Sequence, residues 1–587
     1  MNNNLANFIP RPEHPNPQWK REKWVNLNGK WQFEIDNTKS GEVRELYLKD
    51  SLESEIIVPF CPESQLSGVG HKDFMLAVWY KRKVSFTADD LTGNRVILHI
   101  GAADFETKLW VNGKKVGLTH IGGYVSFEYD ITDALTAGEN DITIACYDDT
   151  RAGRQPGGKQ SMKHYSHGCY YTRTTGIWQT VWCEFVPETY VKYAKIVPDL
   201  NNCSVSISAE LVGAADLTAE VYYEGKKVGE ASKKNLSVYG TLEISLSECH
   251  VWELGAGRLY DLVLTYGSDR VESYFGLRSV EMKDGKFTLN GKPVFMRLVL
   301  DQGFYPDGIY TAPTEEALVK DIDCSLMAGF NGARLHEKVF EPRFLYHADK
   351  KGYMVWGEYG NWGLDHSDIA SLATFLPDWM ASVRRDYNHP AIVGWCPFNE
   401  TWDEPNGARQ DDELLRIVYE QTKIADPTRP CIDTSGNFHV VTDIYDVHDY
   451  EQRPEVFKAN YDKLFTEGVL FDQVNNNPRH RAKQHWGGEP VFMSEYGGIG
   501  LNIVADVERK TSWSYGRAAE SYDEFYDRYK GLTDAILDNP LMIGFCYTQL
   551  TDVEQEQNGL FTYVGREPKF DMDIISAINK KKAAIEE

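Results

Sequence analysis

The stretch Ile392-Val393-Gly394-Trp395-Cys396-Pro397-Phe398-Asn399-Glu400 is an apolar and aromatic run that closes on a carboxylate, and Val491-Phe492-Met493-Ser494-Glu495-Tyr496 repeats the pattern. A short run of this kind reads as a buried parallel strand that delivers its acid to the C-terminal rim of a barrel. Two such strands in one barrel direct two carboxylates into the same mouth. Paired carboxylates are what glycosidic-bond cleavage needs: one protonates the leaving oxygen while the other meets the developing oxocarbenium ion.

Around these runs, from about residue 277, strand-like segments alternate with amphipathic helices. Thr314 stands at a helix start with Glu315 and Glu316 in the first turn, and Leu318, Ile322 and Leu326 recur along one face. Leu372, Phe375, Trp379 and Val383 mark a second stripe. Strands are expected near 294–299, 330–335, 353–358, 391–399, 430–435, 443–448, 491–495 and 541–548. That count suits a (β/α)8 TIM barrel spanning 277–587.

The preceding residues read as all-β. Short alternating runs in 1–187 are punctuated by Asn28-Gly29 and Asn112-Gly113, each a hairpin signal, and suggest a β-sandwich. Residues 188–276 continue the pattern with a more polar texture that fits a small immunoglobulin-like sandwich. The fold class expected is therefore multidomain: two β-sandwiches and a C-terminal TIM barrel.

With 42% hydrophobic and 25% charged residues, the 587-residue chain has an ordinary globular mix. Its net charge of −25 argues against binding nucleic acid or an anionic membrane surface. The ten cysteines show no CxxC pair and no metal-ligand spacing, and Cys146, Cys183, Cys396 and Cys546 lie in apolar runs, which reads as free thiols of a reducing compartment. No signal peptide and no membrane-spanning run is visible, so a cytoplasmic location is expected.

Many stretches, in order, resemble glycoside hydrolase family 2, which contains β-galactosidases, β-glucuronidases and β-mannosidases. They include Trp24-Val-Asn-Leu-Asn-Gly-Lys-Trp31, Thr175-Gly-Ile-Trp178-Gln-Thr-Val-Trp182, Phe275-Gly-Leu-Arg278, Gly329-Phe-Asn-Gly-Ala-Arg334, Asn399-Glu400 and Ser494-Glu495-Tyr496-Gly497. The resemblance covers essentially the whole chain and implies a jelly-roll sugar-binding-like domain, an immunoglobulin-like domain and a catalytic barrel. It implies a retaining mechanism with Glu400 as acid/base and Glu495 as nucleophile. Glu400 must be protonated when substrate binds, so its surroundings should raise its pKa. Arg334, costly to bury unpaired, needs a carboxylate, with Glu495 the expected partner. Asn399 is implied to bond the sugar 2-hydroxyl.

Tyr450 takes the place of a tyrosine beside the nucleophile, with His448 the second candidate for that place. Tyr547 stands where relatives often carry a sugar platform, and Gln549 follows it. Glu358 either binds a sugar hydroxyl or buttresses Arg334, while His336 and Glu337 line the mouth. Asp301 and Gln302 replace the Asn-Arg-His-Glu run of galactoside-active members. The Asn-x-Lys that holds a glucuronide carboxylate is replaced by Glu554-Gln-Glu556-Gln-Asn558-Gly-Leu, acidic and without lysine, which disfavours uronides. No magnesium-binding histidine accompanies Tyr359-Gly-Asn361-Trp362, so no metal and no cofactor are expected. The expected substrate is a glycoside with a terminal neutral galactose-type sugar. A glucuronide, a mannoside or an arabinoside is the alternative, and a carbohydrate-binding protein without catalysis is the alternative of another class. The loop 153–160 is long and Gly-rich enough to reach the mouth, and equally has the composition of a plain surface loop. Family members are often homo-oligomers, and nothing in the sequence specifies an interface.

Overall fold

The computed structural model describes residues 9–401, 409–436, 438–472, 485–502 and 512–586. Its N-terminal part is a sandwich of a four-stranded and a six-stranded sheet. Their inner faces meet through Trp31, Phe33, Tyr80, Leu98, Leu109 and Ile144. Asn112-Gly113 makes the expected hairpin: Glu106–Val111 pairs with Lys114–Ile121, and both turn residues have positive φ, 50° and 75°. Asn28-Gly29 does not. Trp24–Asn26 pairs with Val181–Pro187 in one sheet while Gly29–Ile35 joins the other. Asn28 is fully buried and links the two: its amide donates to Thr180 Oγ1 at 3.0 Å and its oxygen accepts from Val181 N–H at 3.1 Å.

Five antiparallel strands follow between Tyr190 and Phe275, two of them twenty residues long and broken by register shifts. Cys203 and Cys249 are joined by a disulfide here, with Cα atoms 5.8 Å apart, which corrects the reading of all ten cysteines as free. They lie 46 residues apart in sequence with no motif around them, so only the pairing of strands brings them together.

The C-terminal part is a parallel barrel. Its strands are β1 (Met296–Asp301), β2 (Gly332–Leu335), β3 (Met354–Glu358), β4 (Ile392–Cys396), β5 (Thr434–Ser435), β6 (Tyr445–Asp449), β7 (Val491–Gly497) and β8 (Met542–Thr548). Seven of them form one sheet in the order β4-β3-β2-β1-β8-β7-β6. The short β5 closes the gap: it pairs with Phe398–Asn399 just past β4 and meets β6 through Ser435 and Asp446. All eight segments fall where the sequence puts strands. Thr314 occupies the N-cap of the helix Glu315–Met327, but its side chain makes no capping bond to the helix backbone. The stripe Phe375, Trp379 and Val383 is buried on the helix Leu372–Asp386. Among the described residues, no helix is long and apolar enough to cross a membrane.

Candidate active site

The chain leaves β4 at Pro397, and Asn399 and Glu400 emerge at the C-terminal rim beside β5, where Glu400 N–H donates to Ser435 O at 2.9 Å. Glu400 holds a left-handed backbone, φ 48°, rare for a residue with a side chain and typical of constrained functional positions. Glu495 lies within β7, almost fully buried. His448, at the end of β6, stands between them: its Nδ1 is 2.9 Å from Glu400 Oε1 and 3.5 Å from Glu495 Oε2. That ring nitrogen and one oxygen of each carboxylate all lie within 4.8 Å of one another. Gly436, with φ +87°, makes room for the ring, since a Cβ there would stand 2.3 Å from its Nδ1.

One guanidinium ties four strands to this point. Arg334 donates to Glu495 Oε1 at 3.2 Å, Ser494 O at 2.7 Å, Glu358 Oε1 at 2.5 Å and Asn399 Oδ1 at 3.2 Å. Burial alone would push it toward neutrality, but Glu358 and Glu495 outweigh that and hold it charged. Its closer carboxylate is thus Glu358, with Glu495 second. Glu358 also receives His336 Nδ1 at 3.2 Å. Burial and then Lys159 keep His336 neutral, so it serves as a donor to Glu358. Tyr450 donates to Glu495 Oε2 at 2.5 Å and stacks on Tyr515 at 3.4 Å. Asn399 is gripped on both sides of its peptide by Asn361, at 2.7 and 3.1 Å, and its Nδ2 is buried with no partner among the described residues. That amide points a free donor into the site.

The electrostatics correct one expectation. Burial would raise the Glu400 pKa, but the hydrogen bond and charge of His448 outweigh it and hold the carboxyl below its ordinary range. Burial would likewise lower His448, and Glu495 and Glu400 raise it instead. Ser435 Oγ lies 2.6 Å from Asp446 Oδ2, to which it donates, so it accepts from His448 Nε2–H at 2.9 Å. Nδ1 then faces Glu400 with one proton shared between them. The empty site keeps that proton on the imidazole side.

Two of the sequence candidates face away from the mouth. Tyr547 is fully buried against Tyr496 and Tyr529, centroids 5.5 and 4.8 Å away, on the helix side of β8. It is core, because β8 turns alternate residues outward and Cys546 takes the inward position near Arg334 and Glu495. Asp301 likewise faces the helix layer: it accepts from Gly303 N–H at 2.9 Å, and burial followed by Asp321 raises its pKa to about 7. Gln302 and Gln549 bond each other at 2.8 Å, each leaving one buried amide atom without a partner among the described residues. Glu337 accepts from Trp362 N–H at 3.1 Å, and burial, the largest cause, pushes its pKa well up.

The loop 153–160 does reach the mouth. Gly157 N–H donates to Trp362 O at 2.7 Å, and Gly158, φ +57°, packs so closely that a Cβ would stand 2.3 Å from Glu337 O. Lys159 then lays its Nζ 3.8 Å over the Trp362 ring. Sequence reasoning gave Lys159 no role of its own beyond its place in the glycine-rich loop, and gave none to Trp362, Tyr515 or Ser435. Glu554 accepts from Thr172 N–H at 3.2 Å, and Glu556 accepts from Tyr171 O–H at 2.5 Å and Asn558 at 3.1 Å, so both acids are engaged by protein. Among the described residues, the donor set spaced for a metal is Glu400, His448 and Glu495 themselves. The Arg334 charge on Glu495 fits a cation there poorly.

This geometry sits in a chain whose residues 24–152 match the description "Glycosyl hydrolases family 2, sugar binding domain" and whose residues 280–511 match "Glycosyl hydrolases family 2, TIM barrel domain". The chain belongs to glycoside hydrolase family 2. It is 27% identical over 475 residues to a β-galactosidase of Leuconostoc mesenteroides, covering 69% of this chain but 42% of that one. It is 26% identical over 551 residues to the β-glucuronidase of Mus musculus, covering 86% of this chain and 82% of that one. In fold it is similar to the Bifidobacterium dentium β-glucuronidase complexed with coumarin-3-O-glucuronide, with a TM-score of 0.80 at 20% identity over 96% of this chain and 98% of that one. The barrel and the N-terminal sandwich are thus family 2 units.

Proposed function

We propose that this hydrolase is a retaining exo-glycosidase. Glu495 attacks the anomeric carbon while Glu400 gives its proton to the leaving oxygen; Glu400 then takes a proton from the water that releases the sugar from Glu495. The observation that carries this reading is that one oxygen of each carboxylate lies within 4.8 Å of the other, which favours the shorter of the two spacings that glycosidases use. Direct attack needs carboxyl groups roughly 5–5.5 Å apart, whereas an intervening water needs roughly 6.5–9.5 Å. Arg334 and Tyr450 each donate a hydrogen bond to Glu495 and aim it, and the free Asn399 amide meets the sugar 2-hydroxyl. The loop 153–160 lies against Trp362 and Glu337 at one side of the mouth, which supports release of one terminal sugar. The units behind this site are proposed as 1–187, an immunoglobulin-like 188–276 and a barrel of 277–587. Proton NMR of a cleaved aryl glycoside tests the chemistry. The product should appear first in the anomeric form of the substrate, and the opposite anomer appearing first overturns retention.

For the glycone, a neutral galactose-type sugar is the first reading, supported by the relatives named β-galactosidase. A uronide is the second, supported by relatives named β-glucuronidase and by one observation, the lysine brought into the mouth.

The shared proton makes a pH prediction. His448 is raised above its usual value near 6.5, so the Glu400–His448 pair holds its proton to a higher pH than a carboxyl could. In His448→Gln the proton must reside on Glu400 alone, and the alkaline limb of kcat/KM moves to lower pH. A limb that stays in place rules out the shared proton.

A further inference from the structure

We propose that Lys159 selects the glycone, and that the group it takes is a carboxylate on the terminal sugar. This rests on the exo-glycosidase reading and, for the glycone, decides for the second of the two readings above. Lys159 enters on the N-terminal sandwich's loop and is anchored by its backbone, whose carbonyl accepts from Tyr171 N–H at 2.8 Å. The residue is 4% exposed, and its ammonium lies 3.8 Å above the Trp362 ring. Among the described residues that ammonium makes no hydrogen bond and no ion pair, so its three donors are unspent.

The other buried cations are satisfied. Arg334, Arg566, Arg21 and Arg11 each touch a carboxylate, and Lys338 bonds two backbone carbonyls. A buried charge without a contact partner is costly, and removing one from water calls for a counter-charge that also takes its hydrogen bonds. Around Lys159, burial pulls toward neutrality, while Cys169, Glu556, Glu400 and Glu495 keep it charged without touching it. The three carboxylates are already committed elsewhere: Glu495 to Arg334 and Tyr450, Glu400 to His448, Glu556 to Tyr171 and Asn558.

What is left is a charged, pre-positioned donor within reach of the mouth. A sugar hydroxyl would accept a hydrogen bond from it but leave the charge uncompensated once water is expelled; a carboxylate answers both. The substituent belongs to the glycone because the Trp362 ring beneath the ammonium donates its Nε1–H at 3.2 Å to the carbonyl of Asn399, the residue before Glu400, which sets Lys159 beside the catalytic pair. The expectation that Glu554 and Glu556 repel uronides is offset by the protein donors that hold those two acids.

The test compares 4-nitrophenyl β-glucuronide and β-galacturonide with the matching glucoside and galactoside. Wild type should favour a uronide over its neutral counterpart, and in Lys159→Met the uronide-to-neutral ratio of kcat/KM should fall about 100-fold. A ratio within about threefold of wild type overturns the proposal, as does equal loss on both classes, which would place Lys159 on the carboxylate pair instead. A wild type that cleaves neutral glycosides and no uronide overturns this inference alone; one that cleaves nothing in a broader aryl-glycoside panel sinks the exo-glycosidase reading too. Calorimetry on wild type needs no variant: free glucuronate or galacturonate should bind more tightly than glucose or galactose, and equal affinities overturn the assignment.

Discussion

Glu495→Gln is expected to reduce turnover of an aryl glycoside by on the order of 10⁴-fold or more, because an amide cannot form the covalent ester to the anomeric carbon that the proposed mechanism requires. The amide keeps the shape of the side chain, and its oxygen still accepts from the Tyr450 hydroxyl now 2.5 Å from Glu495 Oε2. Arg334 keeps Glu358 at 2.5 Å, so the guanidinium is not stranded and the barrel should hold. Binding of the sugar should survive, read by calorimetry on the variant. Turnover at the wild-type rate would remove Glu495 from the nucleophile's place.

Glu400→Ala should slow both halves of the reaction by about 10²–10⁴-fold with a poor leaving group, the usual contribution of a positioned acid or base. With dinitrophenolate as leaving group, protonation is hardly needed and only release of the sugar stays slow. Azide should then speed that step, since a small anion fits the space left by the carboxyl and attacks without a base. Its product is the glycosyl azide of unchanged anomeric configuration. Failure of rescue, with the covalent species demonstrably formed, would count against Glu400 as the base. The variant also deprives His448 of the carboxylate 2.9 Å from its Nδ1, so its pKa should move down, which NMR of the imidazole can follow.

The legible part of the site was the part carried by residue type at a strand end. Glu400, Glu495, Asn399 and Arg334 each close an apolar run, and a polar group there has one place to go, the rim. Tyr547 and Asp301 misled because a strand places neighbours on opposite faces, and a run apolar on both sides gives no hint which face meets the lumen. Asn28-Gly29 misled for a related reason: the hairpin signal describes a turn, but Asn28 spends its side chain bridging two sheets. The pKa of Glu400 was read with the wrong sign because the expectation came from the acid's catalytic need for a proton and left the imidazole of His448 out.

By itself the sequence determined the family, the eight barrel strands and the place of Glu400 and Glu495 at strand ends, since these follow from ordered motifs, from hydrophobic periodicity and from residues adjacent in the chain. Only the tertiary structure decided what meets across the mouth. Lys159 comes from a loop of the N-terminal sandwich and Trp362 from the loop after β3, and the two are brought into contact at 3.8 Å. Electrostatic energy depends on distance in space, so a lysine remote in sequence can set the charge of a pocket that its own barrel segment leaves acidic.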